Sequence, residues 1–178
     1  GPNVNGCFNE SSFLAYFVDE YKPIIDNCGS FTIPSTPYNI GAFYTAPGGP
    51  TGTGTLIPIG TVFPNNTQLN IVQPVYYYAE VNGVFCRDEL FNINIHPLPL
   101  IDTLPDVTYC NSYTLPVLTN GNYFSEPGGT GTPYFAGDAI TATQIMYIYN
   151  STSFIDVNGN PGVCALETDL QINIINTN

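Results

Sequence analysis

The sequence predicts an all-β protein made of two tandem immunoglobulin-like β-sandwich repeats, preceded by the last strand of an upstream repeat. Three observations predict it. Short runs that alternate apolar and polar residues, or are rich in β-branched and aromatic residues, recur between Gly, Pro and Asn turns. No segment sustains a 3.6-residue apolar period, and Phe13 to Tyr21 comes nearest. An ordered set of motifs occurs twice, with a period of about 80 residues.

The repeat can be followed element by element. Cys28-Gly-Ser-Phe31-Thr-Ile-Pro34 reads against Cys110-Asn-Ser-Tyr113-Thr-Leu-Pro116. Gly41-Ala-Phe-Tyr-Thr-Ala-Pro-Gly-Gly49 reads against Gly121-Asn-Tyr-Phe-Ser-Glu-Pro-Gly-Gly129, each followed by a Thr-Gly-Thr stretch. Tyr76-Tyr-Tyr78 matches Tyr147-Ile-Tyr149, and both copies close on Cys-x-x-Glu, at Cys86 to Glu89 and Cys164 to Glu167. Val75 to Glu80, Phe91 to Ile95, Gln144 to Tyr149 and Leu170 to Ile175 are strand-like. Val81-Asn82-Gly83 joins two such runs as a hairpin turn. Six or seven strands per copy, spaced by turn signals, fit a sandwich. Val4-Asn-Gly-Cys7 repeats the approach to the closing Cys, so residues 1–22 are expected to be the tail of a preceding copy. Residues 23–97 then form repeat 1 and 98–178 repeat 2, with His96-Pro-Leu-Pro-Leu100 a stiff linker. The first copy departs from the second by Ser35-Thr-Pro-Tyr38 and by extra residues between Phe63 and Val75.

Composition narrows function. Only 9% of residues are charged and the formal net charge is −12, with Lys22 and Arg87 the two basic residues. Such a surface repels phosphate backbones and anionic membrane faces, which argues against nucleic acid as a partner. No apolar run reaches the roughly 20 residues of a membrane helix, so no membrane insertion of this segment is expected. Thirteen Tyr and 11 Phe exclude a disordered chain. Paired Cys suit an oxidising, extracellular setting. Five is odd, and Gly1-Pro2 resembles the remnant of a cleaved tag, so the sequence is expected to be a piece of a longer chain.

The motifs from Cys110 to Tyr149 — Cys-x-Ser-Tyr-Thr-Leu-Pro, Gly-Asn-Tyr-Phe, Pro-Gly-Gly-Thr-Gly-Thr, Ala-Gly-Asp-x-Ile and Tyr-Ile-Tyr — resemble the repeats of very large flavobacterial cell-surface proteins. Those proteins are similar to the SprB-type gliding adhesin. The resemblance covers residues 28–175 in two copies. It implies an extracellular, cell-surface location, type IX export, and a role in adhesion and gliding motility as a rod-like spacer and surface-contact module. Further repeats of the same chain would be neighbours, and an extracellular surface or polysaccharide the possible contact. Asp102-Thr103-Leu104 resembles the short O-glycosylation motif of such bacteria.

Candidate sites follow from residue types. Within-repeat disulfides would be Cys28–Cys86 and Cys110–Cys164; across the boundary they would be Cys7–Cys28 and Cys86–Cys110. An immunoglobulin topology opposes the first scheme, because the first corner and the start of the last strand lie at opposite ends. Tyr44, Tyr76, Tyr78, Tyr123, Phe124, Tyr147 and Tyr149 read either as a glycan-stacking platform or as core and cross-strand pairs, with Tyr123, Phe124, Tyr147 and Tyr149 the ligand candidates. A carbohydrate-binding module is thus the alternative to a spacer. Asp156, Asn158, Asn160 and Glu167 space their oxygens as a calcium loop does, though Pro161 stands where such a loop needs Gly. The other reading is an Asn-Gly hairpin whose Glu bonds backbone amides. The Gly-Thr stretches lack the Lys of a phosphate loop. With His96 the one His, and with no nucleophile in a motif, the chain is expected not to be an enzyme and to need no cofactor other than that possible calcium.

Overall fold

The computed structural model describes residues 21–36 and 39–177. The chain divides into two compact units between Pro97 and Leu98. In the first, the strands are β1 (Asp26–Cys28), β2 (Ser30–Thr32), β3 (Ala42–Tyr44), β4 (Leu56–Ile57), β5 (Val62–Pro64), β6 (Ile71–Val81) and β7 (Val84–His96). In the second they are β8 (Val107–Cys110), β9 (Tyr113–Thr114), β10 (Asn122–Glu126), β11 (Thr130–Tyr134), β12 (Ala139–Ile140), β13 (Gln144–Ile155) and β14 (Pro161–Ile175).

Both units are all-β and layered like a sandwich, with one strand order. Unit 1 has a sheet β1-β7-β6-β3-β4 and a pair β2-β5; unit 2 has β8-β14-β13-β10-β11 and β9-β12. In each, the first strand lies parallel to the last: Asp26↔Asn94 to Cys28↔His96 in unit 1, Val107↔Ile172 to Cys110↔Ile175 in unit 2. All the other pairings are antiparallel.

Period-two alternation builds the cores. In β6, Val75, Tyr77 and Ala79 point inward, and in β7 Phe91, Ile93 and Ile95 meet them with Phe31, Ile33, Phe43 and Ile57. In unit 2, Met146 and Ile148 of β13 meet Leu170 and Ile172 of β14, with Leu115, Tyr123 and Ile140. Each such large side chain stabilises its unit by about 1.5–3 kcal/mol through removal from water. The β6–β7 turn is tight: Asn82 (φ 53°) and Gly83 (φ 76°) both take the left-handed conformation that a two-residue hairpin demands. The extra residues of unit 1 after Phe63 are anchored by buried Asn65. Its amide donates to the carbonyls of Leu69 (2.8 Å) and Ile95 (2.6 Å), and its oxygen accepts from Thr67.

His96 is not a linker residue. It ends β7, is buried, and its Nε2 lies 2.8 Å from Asp26 Oδ1, closing the β1–β7 pair with the Asn94 amide, 3.2 Å from the same oxygen. Arg87, with its charge drawn inside, donates to the Tyr21 carbonyl and to Glu89, and lies over the rings of Tyr77 (5.7 Å) and Phe91 (5.4 Å). Expected tail residues up to 20, Cys7 among them, lie outside the described residues.

Candidate functional site

The cysteines take opposite ends of each unit. Cys28 is the last residue of β1 and pairs with His96, so it sits where β7 leaves the unit. Cys86 lies near the start of β7, about 33 Å away at a strand's rise of about 3.3 Å per residue. Unit 2 repeats this: Cys110 pairs with Ile175 at the end of β14, whereas Cys164 lies near that strand's start, about 36 Å away. A disulfide needs Cα atoms within about 7 Å. Neither Cys28–Cys86 nor Cys110–Cys164 can therefore form, which corrects the within-repeat scheme. Cys28 and Cys164 are disulfide-bonded. Cys86 and Cys110 carry thiols, which also removes the Cys86–Cys110 pairing. Buried Cys86 points its Sγ at the Val84 carbonyl (3.4 Å), while Cys110 is exposed. The Cys7–Cys28 pairing lies partly outside the described residues.

A second constellation recurs in both units, at the Pro-Gly-Gly turn. In unit 1 the Gly48 amide donates to Asp88 Oδ2 (2.7 Å), and Gly49 lies under the Tyr78 ring, where a Cβ would fall 2.4 Å from it. In unit 2 the Gly128 amide donates to Glu167 Oε2 (2.5 Å), and Gly129 lies under Tyr149, where a Cβ would fall 2.6 Å away. An edge-on aromatic completes each: Tyr44 against Tyr78 at 6.2 Å and 83°, Phe124 against Tyr149 at 6.2 Å and 85°. The second glycine is required twice over, by its left-handed φ (52° and 67°) and by the ring. The carboxylate belongs to Asp88 in one unit and Glu167 in the other, although the Cys-x-x-Glu motif equates Glu89 with Glu167. The reason is spacing along the last strand: Glu167 stands three residues before core Leu170, and in unit 1 the residue three before core Phe91 is Asp88, so Tyr78 faces Asp88 where Tyr149 faces Glu167.

The ligand candidates are split by the pleat. Phe124, Tyr147 and Tyr149 share the sheet face away from the core and are half-buried. Tyr123 points the other way. It is 2% exposed, its hydroxyl donates to the Pro116 carbonyl (3.1 Å), and burial pushes its pKa up to about 12. Tyr123 is a core residue, which corrects its place in a stacking platform. Tyr149 has one ring face covered by Gly129, so a sugar could reach only what remains.

The calcium candidates are also separated. Asp156 Oδ1 accepts the amides of Asn158 (2.9 Å) and Asn160 (2.7 Å), and Oδ2 accepts the Asn160 side chain (3.1 Å). These bonds, with the Asn160 amide foremost, hold the Asp156 carboxyl below its ordinary range. Glu167 stands opposite Tyr149, well along β14 from the Ile155–Pro161 turn, and serves Gly128. Asp156 and Glu167 thus belong to two sites, each closed by backbone amides. Among the described residues no group of three or more His, Cys, Asp or Glu side chains comes together as a metal site would require.

Sequence reasoning missed two features. The Pro-Gly-Gly turn was legible as a turn, but its carboxylate and ring partners come from β6–β7 and β13–β14, far away in sequence. The parallel first strand, which sends the two cysteines to opposite ends, has no local signature. In comparison with known proteins, no family model matches this chain, and neither does any curated protein.

Proposed function

We propose that this chain is a repeat segment of an extracellular cell-surface adhesin, similar to the flavobacterial SprB-type proteins that its motifs resemble. Its two units are tandem copies of an immunoglobulin-like sandwich, and they act without catalysis as spacers that hold under tension. The strand order supports the immunoglobulin-like reading: a sheet ending in a first strand parallel to the last, faced by a second, smaller sheet.

The observation that carries the function is that parallel pairing of first and last strands. Pulling a unit by its two chain ends drags the first strand backward and the last strand forward along their shared direction. The hydrogen bonds between them are loaded together, in shear, rather than opened one at a time. His96 and Asn94 on Asp26 tighten the pair in unit 1, and the Gln171 amide on Asp106 (2.8 Å) does so in unit 2. The net charge of −12 keeps such a chain soluble and opposes its collapse.

The test is single-molecule stretching of the full chain in reductant. Two separate unfolding steps are expected, each releasing about 270 Å for some 75 ordered residues at about 3.6 Å per residue. Unfolding in one step, or yielding without a resolved force peak, would contradict the reading.

The carbohydrate-binding alternative rests on one observation, the face shared by Phe124, Tyr147 and Tyr149. It predicts glycan binding that Tyr147→Ala removes with the fold intact. A spacer binds no glycan in either form.

A further inference from the structure

The structure assigns Cys110 a partner class: we infer that its thiol forms a disulfide with the closing-position cysteine of a further copy of this repeat, the residue equivalent to Cys164. The inference rests on the tandem-repeat reading above and adds to it a covalent link between successive copies.

It begins with the equivalence of Cys110 and Cys28. Both are exposed and end the first strand of their unit, parallel to the end of its last strand. Both precede a residue in the left-handed conformation, Gly29 at φ 70° and Asn111 at φ 66°. In both, the amide of that residue donates to the last strand: Gly29 to the His96 carbonyl (2.8 Å), Asn111 to the Ile175 carbonyl (3.0 Å). Asn111 fills the role of Gly29 at a steric cost, and its side chain is held by accepting from the Thr177 amide (3.3 Å) and hydroxyl (3.4 Å). The backbone that presents Cys28 is thus rebuilt at Cys110. Cys28 is disulfide-bonded and Cys110 is not.

The direction of the link follows from the parallel strands. The chain runs into unit 1 near the start of β7, where Tyr21 meets Arg87, passes Asn94 at Ile25, and leaves past His96. An opening cysteine therefore stands at the exit end of its unit, and a closing cysteine at the entry end. The next copy along a chain offers its entry end first, and with it a cysteine of the Cys164 type. That position is disulfide-bonded in unit 2, although it is only 1% exposed. Pairing within a unit is excluded by the separation along the last strand.

Bond formation joins the two sulfurs and releases two protons and two electrons. A small-molecule disulfide such as oxidised glutathione takes up the electrons through two exchange steps and leaves as two thiols.

The experiment extends the full chain by a second copy of residues 98–178 after Asn178, oxidises it with a glutathione couple, and maps disulfides by mass spectrometry. Cys110 is expected in a peptide linked to the Cys164-equivalent of the added copy. With Cys110→Ser, that added cysteine should be alkylated instead, and the three-unit unfolding profile should be kept. If the added copy folds, judged by hydrogen-exchange protection of its long strands, and Cys110 remains alkylatable, the link is overturned while the repeat reading stands. If the added copy does not fold, both are overturned.

Discussion

The two units solve one packing problem with the tyrosine on opposite strands. At the centre of unit 1, Phe43 of β3 faces Tyr77 of β6; at the matching rung of unit 2, Tyr123 of β10 faces Ile148 of β13. Each unit thus buries a tyrosine at this rung, and each hydroxyl finds a main-chain carbonyl, Tyr77 at Ile40 (3.0 Å) and Tyr123 at Pro116 (3.1 Å). The rest of unit 1 has adjusted to its choice. The Arg87 guanidinium lies over Tyr77, and its donors are met by Tyr21 and Glu89. In unit 2 the residue beside the turn-clasping carboxylate is Leu166, with no charge to satisfy. The comparison teaches that the rung, not the residue type, is what the two units share. A buried ring with one polar tip can enter from either strand, provided a carbonyl waits for it.

Exchanging large for small at this rung should have the largest effect. Tyr77→Ala is expected to destabilise unit 1 by about 4 kcal/mol, and Ile148→Ala to destabilise unit 2 by about 3 kcal/mol, each sparing the other unit. Hydrogen exchange read separately over β6–β7 and β13–β14 checks this; loss of protection in both units from one substitution would break the picture of two independent cores. Next comes the Pro-Gly-Gly clasp. Gly49→Ala and Gly129→Ala should each cost about 2 kcal/mol, from strain at positive φ and collision with the ring, as measured by urea unfolding. An effect in one unit only would mean that the clasp is not a shared device.

A smaller effect separates the units by their terminal strands. His96→Ala should cost unit 1 about 1 kcal/mol and leave unit 2 untouched, because Ile175 occupies the matching rung there. The alkaline limb should then treat the units alike. Burial raises Tyr77 to about 12 despite the opposing charge of Arg87, and raises Tyr123 to about 12. The unfolded tyrosine loses its proton near its ordinary 10.0, so stability holds below that pH and falls as pH rises from there towards 12. Tyr77→Phe should lessen this fall in unit 1 alone and Tyr123→Phe in unit 2 alone, read by thermal melts across that range; Tyr21 and Tyr78 in unit 1 and Tyr113 in unit 2, also raised by burial, keep part of it. The smallest effect lies in acid and in unit 2. Amides at Thr119 and Asn160 hold Asp102 and Asp156 below the ordinary 3.8. Their contribution is present above that value and is lost as pH falls through the lowered one. Asp102→Asn or Asp156→Asn should flatten the acid limb of unit 2 slightly.

Much of this was legible in the chain itself. The alternation at Val75, Tyr77 and Ala79 marked an inward face before any pairing was known. Asn82-Gly83 announced a two-residue turn, because few other pairs tolerate two positive φ angles in a row. Tyr123 was misread because Asn-Tyr-Phe offers two adjacent rings, and local sequence does not say which one the pleat turns inward. Asp88 was hidden behind Glu89 because the Cys-x-x-Glu motif stands one residue nearer the core run in unit 1, Glu89 two residues before Phe91 and Glu167 three before Leu170. The cysteines misled most. Two Cys bracketing a repeat suggest a bridge that closes it, and only the parallel placement of β1 on β7 and of β8 on β14 reveals that their ends lie apart.

That placement is the centre of the account, and disulfide mapping of the oxidised 178-residue chain tests it most directly. Alkylation under denaturing conditions, proteolysis and mass spectrometry should find Cys28 and Cys164 in disulfides and both Cys86 and Cys110 alkylated. Recovery of a Cys28–Cys86 or Cys110–Cys164 peptide would require the two ends of a last strand to meet, and would contradict the fold described here.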